Sequence, residues 1–88
     1  MFPDYLDGVK VIEYTERSCF AFTVDPWDDE NAGSEKEVCY LAICQYENSE
    51  EFNFFWCDDD FNVLQDWLCD SIDECKSNYR TDIVWKKK

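Results

Sequence analysis

Hydrophobic and polar positions alternate along most of the chain before residue 70, which is the pattern of half-buried β-strands. Polar or turn-forming residues separate the alternating segments. The strands predicted from this pattern are residues 9–15, 19–24, 38–46, 52–57 and 63–69. Only a short polar turn separates the first two, so we predict a hairpin there. Residues 1–8 are interpreted as a lead-in with one helical turn.

The third predicted strand has apolar residues on both of its faces. Val38, Tyr40 and Ala42 fall on one side, and Leu41 and Ile43 fall on the other. A strand of this kind is covered by other parts of the protein on each side. We therefore place it at the centre of the sheet.

A helical period replaces the strand period after residue 69. Ile72, Cys75, Tyr79 and Ile83 recur at intervals of three and four, on one helical face. Asp70 is the predicted N-cap. The expected fold class is therefore α+β, with an antiparallel sheet of about five strands (a meander) packed against one C-terminal α-helix. We expect a single domain of residues 1–88.

Charge is the most unusual property of the chain. Its 88 residues include 21 Asp and Glu but only 8 Lys and Arg, which gives a formal net charge of −13. Such an excess of acids is self-repelling in a compact domain. The acids either serve solubility alone or match the cationic surface of a partner. Direct nucleic-acid binding is disfavoured, because phosphate contacts need clustered Lys and Arg.

Residue types that support catalysis or bind metals and cofactors are scarce. His is absent, which removes the commonest general base and metal ligand. Two Gly leave no room for a phosphate-binding loop. The acidic runs at residues 28–33 and 58–61 lack the ligand spacing of a calcium loop. We therefore expect no enzyme activity, no catalytic residue, no cofactor and no dedicated metal site.

The six Cys fall inside the periodic segments, at positions 19, 39, 44, 57, 69 and 75. Cys in such positions behaves as a small hydrophobic residue. Reduced core thiols are therefore expected, with structural disulfides as the alternative. The opening residues lack the features of an export leader, and no apolar run approaches the roughly 18 residues of a membrane span. These features favour a cytoplasmic protein that does not bind a membrane.

Two acidic loops form the candidate binding surface. Residues 25–37 contain six acids and one Lys, and residues 47–60 contain six acids and no base. Strand-order rules allow the first loop and the turn at residues 58–62 to lie at one end of the sheet. Trp27 and Phe61 are either anchors within a charged ring or lids that fold back on the core. The predicted partner-binding residues are Trp27, Asp28, Asp29, Glu30, Asp58, Asp59, Asp60 and Phe61.

A longer pattern spans the last two predicted strands and the start of the helix. It reads FFWCDDDFNVLQDW at residues 54–67 and DSIDEC at residues 70–75. This pattern resembles the strand–acidic turn–strand–helix ending of small acidic bacterial proteins, some of which are immunity proteins of polymorphic toxin systems. The resemblance implies a meander packed on a C-terminal helix. It also implies stoichiometric neutralisation of a toxin.

The charge and the acidic loops together predict an inhibitor that binds and blocks a basic, nucleic-acid-active protein. Two roles share this physics: a toxin immunity protein, and a phage anti-defence protein of the anti-CRISPR, DNA-mimic type. The protein would act as a monomer or a dimer. The alternative is a non-inhibitory interaction or dimerisation module whose acidity serves solubility.

Overall fold

The computed structural model describes residues 2–24, 35–79 and 82–88 of the chain. Its elements in chain order are β1 (Tyr5–Leu6), β2 (Val9–Tyr14), β3 (Ala21–Val24), β4 (Glu35–Val38), β5 (Tyr40–Gln45), β6 (Phe52–Cys57), β7 (Val63–Cys69), α1 (Ile72–Ser77) and β8 (Lys86–Lys87).

The protein is mainly antiparallel sheet, with one short helix near the C-terminus, which agrees in outline with an α+β fold. The main sheet has the strand order β1-β2-β5-β6-β7, β8 also pairs with β2, and β3 and β4 form a separate pair. The main sheet curls into a half-barrel. The predicted meander is confirmed for β5, β6 and β7, which pair in succession.

The predicted hairpin between the first two strands is wrong. β2 pairs with β5, and β3 pairs with β4. The residues between β2 and β3 are hydrogen-bonded to the segment that leads from β4 into β5. The N–H groups of Thr15 and Phe20 donate to the carbonyls of Leu41 and Val38 at 3.0 and 2.9 Å. β2–β3 and β4–β5 are therefore the two arms of one long, bent hairpin.

The bend lies at Cys39 and divides the third predicted strand into β4 and β5. The Cys39 N–H donates to the Cys57 carbonyl of β6 at 2.8 Å. Beside the bend, the Leu41 N–H is satisfied by the hydroxyl of Thr15 at 3.0 Å. The buried Thr15 hydroxyl thus takes the place of the backbone carbonyl that would accept this hydrogen bond in a regular β-sheet.

A tight turn joins β1 to β2, where we expected a helical turn. Asp7 and Gly8 have φ angles of 49° and 78°, and positive φ at both central residues is what a type I′ hairpin turn requires. Leu6 consequently pairs with Val9. The first residues of the chain therefore add a strand to the sheet.

A bulge between Val11 and Glu13 changes the faces on which the end of β2 projects. Strict alternation would place Glu13 with Val11, and Tyr14 on the opposite face. Instead, Tyr14 joins the Val11 side and stacks on Phe2, with ring centroids 4.6 Å apart. Glu13 leaves that side and meets Lys76 of α1 at 2.8 Å.

Strand β5 is buried on both faces, as its apolar pattern predicts. Its two faces belong to two clusters of buried residues. The first cluster is Phe2, Leu6, Val9, Val11, Ala42, Cys44, Phe55 and Cys57. The second cluster is Val38, Leu41, Ile43, Phe54, Leu64, Cys69 and Cys75. The N-terminal strands cover the first cluster, and α1 with the residues after it covers the second.

Helix α1 is shorter than predicted, with six residues, and its N-cap lies one residue later. The Ser71 hydroxyl accepts a hydrogen bond from the Glu74 N–H at 3.1 Å, and a Glu74 carboxylate oxygen accepts one from the Asp70 N–H at 2.7 Å. The first bond is the N-cap contact of a capping box, whereas the second reaches the N–H of the residue before the N-cap and not that of Ser71 itself. The residues of the predicted helical face all pack into the second cluster: Ile72, Cys75, Tyr79 and Ile83.

Three ion pairs attach the C-terminal part of the chain to its N-terminal part. They are Lys76–Glu13 at 2.8 Å, Lys86–Glu16 at 2.8 Å and Lys88–Asp4 at 2.7 Å. The side chain of Glu13 is 6 % exposed, whereas that of Glu16 is 75 % exposed. Only the first pair is therefore substantially withdrawn from solvent.

Replacing Lys76 with Met should lower the free energy of unfolding by about 1–2 kcal/mol, because it leaves the Glu13 carboxylate buried without its partner. Lys76 is 34 % exposed, which limits the effect. Urea unfolding measures the loss. Lys86→Met is the matched control, since it breaks an exposed pair, and it should change stability by no more than about 0.5 kcal/mol. Equal losses in the two variants would contradict a special role for the buried pair.

Candidate partner-binding site

The predicted acidic turn connects β6 to β7, and its first carboxylate holds it together. One oxygen of Asp58 accepts hydrogen bonds from the N–H groups of Asp60 and Asn62, both at 2.9 Å, and its other oxygen accepts one from the Asn62 side-chain amide at 3.0 Å. Such side-chain-to-backbone bonds are typical of Asp in turns. Asp58 therefore has a structural role, whatever it contributes to binding.

The ring of Phe61 lies against the first cluster. It stacks on Tyr40 with centroids 4.6 Å apart and meets Phe2 edge-on at 5.2 Å. Its φ of 65° is in the left-handed region, which is rare for a bulky residue. This placement agrees with a lid on the core. A role as a binding anchor remains a prediction.

Asp59 and Asp60 are the solvent-exposed acids of the turn. A carboxylate oxygen of Asp59 lies 4.0 Å from the guanidinium of Arg17, with both side chains well exposed, so solvent screens this pair. Arg17 also acts electrostatically on Glu37, which places the described end of the first acidic loop near the turn. Four predicted binding residues lie outside the described residues and remain predictions: Trp27, Asp28, Asp29 and Glu30.

A further acidic surface lies at the other end of the sheet. Residues 37–75 contain eleven Asp and Glu and no Lys or Arg. The β5–β6 turn and the β7–α1 junction meet at one end, because Phe52 pairs with Cys69. We call the acids of these two segments the acidic end: Glu47, Glu50, Glu51, Asp70, Asp73 and Glu74. Within residues 2–24, 35–79 and 82–88, none of them forms a salt bridge.

A groove lined by aromatic rings lies between β6, β7 and α1, beside the acidic end. Its volume is about 240 Å³, and Phe54, Trp56, Trp67 and Tyr79 contribute rings to it. The Trp56 ring contacts two of the others, with centroids 4.7 Å from Trp67 and 5.4 Å from Tyr79. Trp67 is 46 % exposed and the adjacent Leu68 is 67 % exposed. We call this feature the aromatic groove.

The indole nitrogen of Trp56 is buried without a hydrogen-bond partner among the described residues. An indole N–H is a donor only, and an unsatisfied buried donor destabilises a protein by about 1–3 kcal/mol. This donor is enclosed within the aromatic cluster. The groove itself offers aromatic surface to solvent through Trp67.

The aromatic groove is not among the sites predicted from the sequence, although part of it is readable there. Phe54 and Trp56 alternate along one face of β6, and Trp67 lies opposite Phe54 in β7. These aromatic residues could therefore have been assigned to one face. Tyr79 lies on the predicted apolar face of the helix, which packs into the second cluster.

The six Cys are free thiols, five of them buried and Cys19 exposed. The prediction of core positions is thus confirmed for five residues and wrong for Cys19. Burial raises the pKa of Cys39 to about 11 and that of Cys44 to about 12. These thiols stay protonated at neutral pH, and a protonated thiol is a poor nucleophile.

Comparison with known proteins finds no matching family, curated protein or solved structure. Among the described residues, no helix is long and apolar enough to cross a membrane. The same residues include no group of three or more His, Cys, Asp and Glu placed to hold a metal ion. Function must therefore be inferred from the charge and surface of the chain itself.

Replacing Glu37 with Gln should speed alkylation of Cys19 by iodoacetamide near neutral pH. Glu37 raises the pKa of the Cys19 thiol by accepting its hydrogen bond and by its negative charge. Without that charge the pKa falls, and each unit of fall increases the thiolate fraction about tenfold. Mass spectrometry of the native protein over time measures the rate. Glu35→Gln, an exposed change on the same strand, should leave the rate unaltered. If Glu37→Gln also leaves the alkylation rate unaltered, Glu37 does not determine the reactivity of Cys19.

Proposed function

We propose that the chain is an acidic inhibitor that forms a stoichiometric complex with a basic, nucleic-acid-active protein in the cytoplasm and blocks it. Two biological roles fit this mode of action. One is immunity against a nuclease-like toxin, and the other is phage anti-defence of the anti-CRISPR, DNA-mimic type. Neither role needs catalysis, a cofactor or direct binding of nucleic acid.

The uneven distribution of charge is the observation that carries the proposal. Lys76, Lys86 and Lys88 pair with acids of residues 4–16, while residues 37–75 contain no base at all. Solubility alone requires no such separation. A surface of acids that lack basic neighbours, in contrast, accelerates encounter with a basic protein and orients it on arrival.

Inhibition would follow from competition for the partner's basic surface. A duplex presents one negative charge about every 1.7 Å along its axis, and proteins that act on it meet those charges with Lys and Arg. Carboxylates placed on that basic surface would exclude the nucleic acid. Asp59 and Asp60 are exposed for such contacts, whereas the carboxylate of Asp58 is engaged within its turn.

The resemblance to immunity proteins is compatible with the arrangement of the C-terminal half. β6, the acidic turn, β7 and α1 follow one another as strand, turn, strand and helix, although α1 has only six residues. This order suits the immunity role without distinguishing it from the anti-defence role, since both require the same kind of surface.

One observation favours the alternative of a dimerisation module. Among the described residues β7 pairs only with β6, and it carries the exposed Trp67 and Leu68. An exposed edge with large apolar side chains is a common site of association. Sizing at low and high salt separates the alternatives, because a hydrophobic dimer persists in salt while a charge-driven complex dissociates.

The decisive experiment is affinity capture from lysate at low salt after nuclease treatment, with identification by mass spectrometry and a salt titration. Recovery of one basic, nucleic-acid-active protein, released by added salt, would support the proposal. The captured protein must then lose its activity on nucleic acid when the chain is added in equimolar amount. Capture without loss of activity would contradict inhibition.

Replacing Asp59 and Asp60 together with Asn should slow association with that partner by roughly two- to fivefold at low salt and reduce its salt dependence, because exposed charge pairs contribute modestly. Surface plasmon resonance measures both rates. The control Asp7→Asn with Glu16→Gln removes two charges from the N-terminal side and should have a smaller effect. Equal effects of the two variants would mean that only net charge matters.

A further inference from the structure

We propose that the aromatic groove binds an arginine or lysine side chain of the basic partner, with the acidic end supplying the neighbouring negative charge. This inference rests on the proposed function and names one contact within it. It also locates the main anchor away from the turn that carries Asp59 and Asp60.

The ring arrangement suits a cation. The Trp56 ring meets both the Trp67 ring and the Tyr79 ring at an interplanar angle of 64°, so it is inclined to each of them. Electron-rich ring faces attract Lys and Arg, most strongly for Trp. A volume of about 240 Å³ lies below the range of roughly 300–1,000 Å³ for small-molecule pockets, and it suits one side chain.

The same aromatic cluster already holds a cation of the chain itself. The Lys76 ammonium lies over the Trp85 ring, 5.9 Å from its centroid, and Trp85 in turn meets Phe54 edge-on at 5.9 Å. Lys76 is also bonded to Glu13, so it is fixed there. Trp56 and Trp67 belong to the same cluster, but among the described residues no Lys or Arg lies over their rings.

Negative charge stands beside the groove-lining residues in the chain. Asp70 directly follows Cys69, and Glu74 directly precedes Cys75, and both Cys line the groove. Glu74 and Asp70 are close in space, because the Glu74 carboxylate accepts the Asp70 N–H. A guanidinium or ammonium group against the rings would therefore be near carboxylates that form no ion pair within the described part of the chain.

The charge of the chain decides between the possible occupants. A second copy of this protein is a poor occupant, because two chains of charge −13 would meet acidic end to acidic end. A segment of a basic protein has the opposite charge, and its cationic side chain suits both the rings and the carboxylates.

The test is an NMR titration of the protein at low salt with a short oligoarginine peptide, against the same peptide with citrulline in place of arginine. Citrulline is a neutral isostere of arginine. The indole N–H signals of Trp56 and Trp67 should shift with oligoarginine and not with oligocitrulline. Unmoved indole signals, or equal shifts with both peptides, would overturn the proposal.

Paired variants separate the groove from general charge attraction. Trp67→Leu should weaken oligoarginine binding about threefold, while Tyr5→Leu, an exposed aromatic change on the opposite edge strand, should not. Asp70→Asn with Asp73→Asn should weaken binding more than Asp59→Asn with Asp60→Asn, which removes the same charge elsewhere. Equal weakening by the two charge pairs, or a dimer that Trp67→Leu dissociates, would contradict the assignment.

The outcome for the groove is distinguishable from the outcome for the proposed function. If a basic partner is captured and inhibited equally well by the wild type and by Trp67→Leu, inhibition stands and the groove assignment falls. If oligoarginine occupies the groove but the chain inhibits no basic protein, the groove assignment stands and the inhibitor proposal falls.

Discussion

The fold depends on covering strand β5 on both of its faces. Leu41 and Ile43 are fully buried on one side, and Ala42 and Cys44 on the other. Burying a large apolar side chain stabilises a protein by about 1.5–3 kcal/mol, so neither face can be left to solvent in a chain of this size. The two covers come from the two ends of the chain, β1 with Phe2 on one face and α1 with the residues after it on the other.

Ion pairs hold the C-terminal covering segment in place, and these pairs use lysines of the chain. Lys76 and Lys86 are committed to Glu13 and Glu16, which tie the C-terminal segment to β2 and the residues after it. Residues 37–75 contain no Lys or Arg, so their negative charge is not compensated by neighbours in sequence. Three lysines thus stabilise the fold, whereas the proposed recognition would use the acids of residues 37–75.

Regular features of the fold are predictable from the sequence, and single-residue irregularities are not. The alternation around Leu41 correctly predicts a central strand, and Asp7 followed by Gly8 is a sequence typical of a hairpin turn. The bend at Cys39, whose N–H bonds to β6, is encoded by no local pattern. For the site, the exposure of the acidic turn is readable, whereas the packing of Phe61 on the core and of Tyr79 against the groove depends on long-range contacts.

The small strand β8 has a consequence for the behaviour of the sheet edge. Lys86 and Lys87 pair with Tyr14 and Glu13, and the Lys88 N–H donates to the Ile12 carbonyl. Without β8, backbone donors and acceptors along the end of β2 would be uncovered, and such a free edge is where β-proteins add foreign strands and aggregate. Residues 86–88 therefore protect an edge of the sheet in addition to the ion pairs that Lys86 and Lys88 form.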